Sequence, residues 1–104
     1  MRVQTEAIHF SADVKLLRTI ELKLLRLERF FDRIIDAKVL LKMENSGQVK
    51  DKIAEIKLFI PNGVIFIKES SKTFEEAFDK AMITLKRQLL KYKEKLTKKD
   101  RNEK

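Results

Sequence analysis

TFEEAFDKAMITLKRQLLKYKEKL, residues 73–96, is the stretch on which the reading of this chain turns. Thr73 and Glu76 have the spacing of a capping box, in which each side chain satisfies a backbone donor at the other's position. Phe74, Phe78, Ala81, Met82, Leu85, Leu89, Tyr92 and Leu96 then recur at three- and four-residue intervals. At about 100° per residue they fall within one stripe about 100° wide. Lys80, Arg87, Lys91, Lys95 and Lys98 fall on the opposite side. The spacing therefore predicts a helix with one face for burial and one for an anion.

The charge of the whole chain leans the same way. Its 104 residues carry a net charge of +8. From Lys86 to Lys104 nine Lys or Arg stand against Glu94, Asp100 and Glu103, which leaves only +2 for the first 85 residues. Such asymmetry points to a polyanion, either nucleic acid or an anionic membrane surface. A lysine-rich terminal helix that is simply solvated is the plainer alternative. The length suits one domain with a single modest core. At 43% hydrophobic and 38% charged, the composition is that of a globular domain with a busy surface. No apolar run approaches a membrane span, MRVQTEAIHF lacks the apolar core of a secretory signal, and there is no cysteine. These features favour the cytoplasm.

Working outward from the last helix, Arg2 to about Ser11 reads as a strand. Val3, Thr5, Ala7 and His9 share one face, and Gln4, Glu6, Ile8 and Phe10 share the other. Asp13 is the expected N-cap of a first helix, with Ser11 as the competing choice. That helix runs to about Phe30 or Phe31 and buries Leu16, Ile20, Leu24, Leu27 and Phe31. Lys15, Arg18, Arg26 and Arg29 lie on its far side and Lys23 at an edge, while Leu22 and Leu25 point outward. A second strand is expected around Ala37–Met43, a polar loop over Glu44–Lys52, and a third strand over Ile53–Ile60. Pro61-Asn62-Gly63 is a tight-turn signal, since Pro fixes φ and Asn-Gly accepts positive φ. It leads into a fourth strand, Val64 to about Glu69.

The order is thus β-α-β-β-β-α, an α+β fold. The first crossover should be right-handed and place strands one and two parallel and adjacent, with an antiparallel meander after them. Both helices should pack side by side on one face of a four-stranded mixed sheet. Residues 1–97 form the expected domain, and 98–104 (KKDRNEK) a basic tail that should fray.

If both helices bury their stripes against one sheet, Arg18, Arg26 and Arg29 join Arg87, Lys91 and Lys95 in one basic surface. Arginine offers bidentate contacts to phosphate and lysine a mobile point charge. Such a surface binds backbone rather than reading sequence. The helices show no exposed aromatic platform, so shape recognition of folded or double-helical RNA fits better than base stacking. Enzyme readings fare poorly. His9 is the sole histidine, Asp32 and Asp36 read as turn and helix-end residues, and the isolated Gly47 and Gly63 make no phosphate-cradling loop. No cofactor or metal is implied. On the open sheet face, Leu40, Phe59 and Phe66 form either a stabilising cross-strand cluster or a protein-docking patch, including weak self-association.

Several motifs, in order, resemble one family. They are His9 near the end of the first strand, Leu24-x-x-Leu27-Glu28 leading into Phe31-Asp32-x-Ile34-Ile35-Asp36, and Ala54-Glu55-Ile56-x-Leu58 before the Pro61-Asn62-Gly63 turn. Phe74-x-x-Ala77-x-Asp79 and Leu85-x-Arg87-Gln88-Leu89-x-Lys91-x-Lys93 follow. The pattern is similar to that of the bacterial ribosome hibernation-promoting factors, also called ribosome-associated inhibitor or sigma-54 modulation proteins. Two departures stand out. Ala7 replaces a common glycine, and Ile83-Thr84 replaces a common Asp-Lys.

The resemblance implies the same β-α-β-β-β-α fold, like a double-stranded RNA-binding domain in general shape. It implies binding to the small ribosomal subunit in the channel of messenger and transfer RNA, with translation blocked and ribosomes stored in stationary phase or stress. A general structured-RNA-binding module without ribosome preference is the alternative. The implied ribosomal-RNA contacts are Lys23, Arg26 and Arg29 on the first helix, and Arg87, Gln88, Lys91, Lys93 and Lys95 on the last. The short basic tail looks like the short form of the family, a monomer that promotes ribosome dimers with a separate helper factor. Membrane binding is not implied.

Overall fold

Ile60 and Gly63 face each other across a two-residue turn made by Pro61 and Asn62, and Asn62 takes the positive φ (65°) that closes it. The positive-φ demand therefore falls on Asn62. Gly63 already belongs to the next strand, as its pairing with Ile60 shows. From this hairpin the sheet extends in both directions. In the computed structural model the backbone is described over residues 1–46 and 49–102, and side chains over 1–44 and 51–96.

The elements are β1 (Arg2–Ala7), α1 (Val14–Leu25), α2 (Leu27–Phe30), β2 (Asp36–Ser46), β3 (Val49–Ile60), β4 (Gly63–Ser71) and α3 (Phe74–Asn102). The sheet order is β1-β2-β3-β4, with β1 parallel to β2 and the other pairs antiparallel. This is the expected mixed sheet. Along β2 and β3 the inward positions are Ala37, Val39, Leu41, Ala54, Ile56, Leu58 and Ile60, all buried. They meet Ile20, Leu24 and Leu27 from the first helical arm and Phe78, Leu85 and Leu89 from α3 in one core. Each fully buried side chain of this size contributes about 1.5–3 kcal/mol relative to exposure. Packing the apolar stripes of both helical arms on one sheet face leaves their polar backs together on the outside.

Several boundaries differ from the expectation. β1 ends at Ala7, four residues short of Ser11, because His9 sits in the left-handed region (φ 62°) and breaks the extended alternation. Phe10 is thereby turned onto Phe74, and their rings stack at 4.7 Å and 6°. The first helical arm has a tightened step at Arg26, where Arg29 N–H donates to the Arg26 carbonyl three residues back (3.2 Å). The expected single helix is thus divided into α1 and α2.

Most of the expected loop over Glu44–Lys52 is strand, since β2 and β3 pair out to Ser46 and Val49; Gly47 and Gln48 lie outside the described residues. α3 continues through Asn102, beyond the expected end near Leu96. Residues 98–102 of the tail expected to fray are therefore helical in backbone, and 103–104 lie outside the described residues.

The helix ends follow the residues read for them. Asp13 accepts from the Lys15 amide at 3.1 Å. Thr73 Oγ1 accepts from the Glu76 amide at 3.1 Å, one half of a capping box. The Glu76 carboxylate accepts instead from the Ser71 hydroxyl at 2.8 Å, tying α3 to the end of β4. Farther along, the Tyr92 hydroxyl donates to the Pro61 carbonyl at 3.0 Å and its ring meets Phe31 edge-on, which anchors α3 over the hairpin turn.

Candidate nucleic-acid interface

The side-chain contacts of α3 define two flanks and a crest. On one flank Asp79 pairs with Lys23 of α1, and Lys93 donates to the Phe30 carbonyl of α2 at 2.8 Å. Lys86 lies seven residues from each, so it shares their stripe at 3.6 residues per turn. This flank faces the first helical arm. On the other flank Lys80 donates to the Ser70 carbonyl at 3.3 Å, and Thr84 reaches toward Glu69. Gln88, Lys91 and Lys95 follow Thr84 at four, seven and eleven residues, and so share the flank above β4. Arg87 stands between the two on the crest.

The eight residues expected to bind RNA are therefore not one uniform patch. Arg26, Arg29, Arg87, Gln88, Lys91 and Lys95 are exposed. Lys23 and Lys93 are half-buried and already engaged. Lys93 also sits over the Phe30 ring, 4.6 Å from its centroid. Its ammonium holds α2 against α3, a use that a helical wheel does not reveal.

Between the helical arms run two depressions. One, about 320 Å³, is lined by Lys23, Arg26, Asp79, Met82, Ile83 and Lys86. The other, about 420 Å³, is lined by Arg29, Phe30, Phe31, Asp32, Arg33, Lys93 and Leu96. Lys86 and Arg33 thus join the candidate surface, although neither was among the expected contacts. The seven-residue spacing of Asp79, Lys86 and Lys93 was the available signal for Lys86. Nothing in the local pattern around Arg33 distinguishes it from a solvated loop residue.

The opposite side of the molecule has another character. Strand alternation places Arg2, Lys38, Lys42, Lys57 and Lys68 on the open sheet face beside Glu6, Asp36, Glu44, Asp51 and Glu55. Cations and carboxylates balance there, so the net positive charge resides elsewhere. Lys42 Nζ lies 2.9 Å from Glu55 Oε2, and that hydrogen bond and charge hold the Lys42 ammonium above its ordinary pKa. Phe66 lies opposite Lys57, and Phe59 opposite Val64, so the two rings are diagonal neighbours. Phe59 is approached by Lys38 Nζ at 5.7 Å.

Among the described residues no group of three or more His, Cys, Asp or Glu is placed to hold a metal, and no helix is long and apolar enough to cross a membrane.

A four-stranded mixed sheet with one polar face and a cationic helical layer defines a class of small basic α+β domains. Within that class, the chain belongs to the sigma 54 modulation protein / S30EA ribosomal protein family, whose pattern matches residues 3–97. The resemblance drawn from the ordered motifs is therefore upheld. Over 76 residues the chain is 37% identical to a ribosome hibernation promotion factor of Deinococcus radiodurans. That match takes in 71% of this chain and 39% of the relative, so the chain spans well under half of the relative's length.

Two solved structures are similar in fold. A ribosomal subunit interface protein from Coxiella burnetii superposes with a TM-score of 0.78 at 24% identity, over 89% of this chain and 98% of that one. The N-terminal domain of Thermus thermophilus Protein Y gives a TM-score of 0.69 at 25% identity, over 88% and 94%.

Proposed function

We propose that this chain binds the small ribosomal subunit in the channel used by messenger and transfer RNA, inhibits translation and promotes ribosome hibernation in stationary phase or stress. The observation that carries this reading is the one-sided charge. Arg26, Arg29, Arg87, Lys91 and Lys95 are exposed on the helical layer, while the open sheet face is balanced. Membership of the family and the name of the Deinococcus relative direct that cationic layer toward ribosomal RNA.

Occupying the channel requires shape and charge, with no bond made or broken, and the action is non-enzymatic. It belongs in the cytoplasm, where ribosomes work. Arg26, Arg29, Arg87, Gln88, Lys91 and Lys95 contact RNA directly. Lys23 and Lys93 contribute field and position, because each already has a partner on the protein.

Five exposed cations at phosphates give a log–log salt slope of about −3.5 to −4.5. A fourfold rise in salt then weakens binding about a hundred- to five-hundredfold. Sucrose-gradient sedimentation with purified ribosomes tests the reading directly. Co-migration with the small subunit, lost with added salt and with the paired variant Arg87→Glu/Lys91→Glu, is the expected result. Equal affinity for arbitrary duplex RNA and for ribosomes would instead establish a general RNA-binding module.

A further inference from the structure

Ile83 is 62% exposed, although it stands on a helix whose outward side is otherwise rich in charge. It forms a wall of the depression between α1 and α3, beside Met82, with Lys23, Arg26 and Lys86 around it. An apolar wall inside a cationic rim is a poor match for the outside of a duplex, which presents phosphates and keeps its bases stacked away from the protein. It is a good match for one nucleotide whose base is unpaired. Such a nucleotide exposes an apolar ring face within a few bonds of an anionic phosphate.

We infer that this depression is a subsite for a single unpaired nucleotide of RNA. Its base lies on Ile83 and its phosphate between Arg26 and Lys86. Asp79 closes one end of the site. Its carboxylate is held by Lys23, so Lys23 and Asp79 act as positioning residues that keep a cation and an acceptor at fixed places. The free acceptor capacity of Asp79 favours a base with an exocyclic amine, as a carboxylate does toward cytosine N4. The inference deepens the ribosomal reading by naming the form of RNA taken by this part of the surface. It differs from that reading in what it requires, namely an unpaired strand rather than a ribosome.

The test uses fluorescence anisotropy with a short unstructured RNA and a hairpin duplex of equal phosphate number. Wild-type protein is expected to prefer the unstructured strand. Ile83→Ser, at an exposed position that the core does not use, is expected to weaken single-strand binding about tenfold while leaving the salt slope unchanged. Ile83→Tyr, which offers a ring for stacking, is expected to tighten it. Equal affinity for strand and duplex, or an Ile83→Ser variant that binds like wild type, would overturn the subsite. Sedimentation with ribosomes is run on the same variants. Loss of ribosome binding by wild type alongside retained strand preference would defeat the ribosomal reading and leave the subsite standing.

Discussion

The Lys93 ammonium donates to the backbone carbonyl of Phe30 at 2.8 Å and rests 4.6 Å above the centroid of the same residue's ring. One cation thus satisfies a carbonyl at the end of α2 and packs on the adjacent aromatic face. Lys93→Ala removes a charge-assisted hydrogen bond and a half-exposed cation–π contact. The expected loss is about 1–2 kcal/mol of stability, read as a lower urea midpoint with an unchanged m-value. Lys93→Arg should recover part of it, because a guanidinium can also donate and stack. An Ala variant as stable as wild type would show that α2 is held without this strap.

The hairpin turn makes a prediction that separates two neighbouring residues. Asn62 has φ 65°, whereas a Cβ built on Gly63 would meet only Ile60 Cγ1, at 3.9 Å, an ordinary contact. Gly63→Ala is therefore expected to be neutral or up to about 1 kcal/mol stabilising, by restricting the unfolded chain. Asn62→Val forces a β-branched residue into the left-handed region and should cost about 1–2 kcal/mol. Thermal unfolding of the two variants distinguishes the assignments, and the opposite ranking would place the conformational demand on the glycine.

What the sequence made legible is what burial dictates. Ile20, Leu24 and Leu27, like Phe78, Leu85 and Leu89, announce their helices because a core must receive one stripe from each. The strand order followed from the turn at Pro61–Asn62 and from the handedness of the first crossover. The outer part of the β2–β3 ribbon was hidden for the converse reason. Its residues from Glu44 to Lys52 are largely polar, and a strand pair with little apolar face reads as a loop. His9 was hidden by the alternation that precedes it, which continues unbroken in sequence while the backbone turns left-handed. At the candidate interface the cations were legible as a set. Their division between two flanks was not, because it depends on which side of α3 the first helical arm lies.

The Lys42–Glu55 pair on the open sheet face gives a pH dependence with a definite sign. Glu55 raises the Lys42 pKa above the ordinary lysine value of 10.5, chiefly through their hydrogen bond. A pKa raised on folding means that the folded state holds the proton more tightly. The pair's contribution is then complete below the unfolded pKa and is lost as pH rises through the folded one. Glu55→Gln should therefore lower the denaturation midpoint near neutral pH, with the gap from wild type constant until about pH 10 and closing above it. A gap that widened at alkaline pH would contradict the assigned coupling.

The two flanks of α3 invite a paired experiment. Lys86 faces the trough between the helical arms, and Lys91 lies on the flank above β4, so a ligand confined to the trough meets only the first. Substitution by glutamine keeps helix propensity and removes one charge. With a short unstructured RNA, Lys86→Gln is expected to lower affinity about five- to tenfold and reduce the magnitude of the salt slope by about one, while Lys91→Gln changes little. If RNA of the small ribosomal subunit spans the helical layer, as proposed, both variants should weaken binding to the subunit. Each surface would then have its own reporter, measured by anisotropy for the strand and by co-sedimentation for the subunit. Equal sensitivity of the short strand to both lysines would mean that RNA lies across the crest at Arg87 rather than within the trough, because only a ligand spanning the crest can touch both flanks at once.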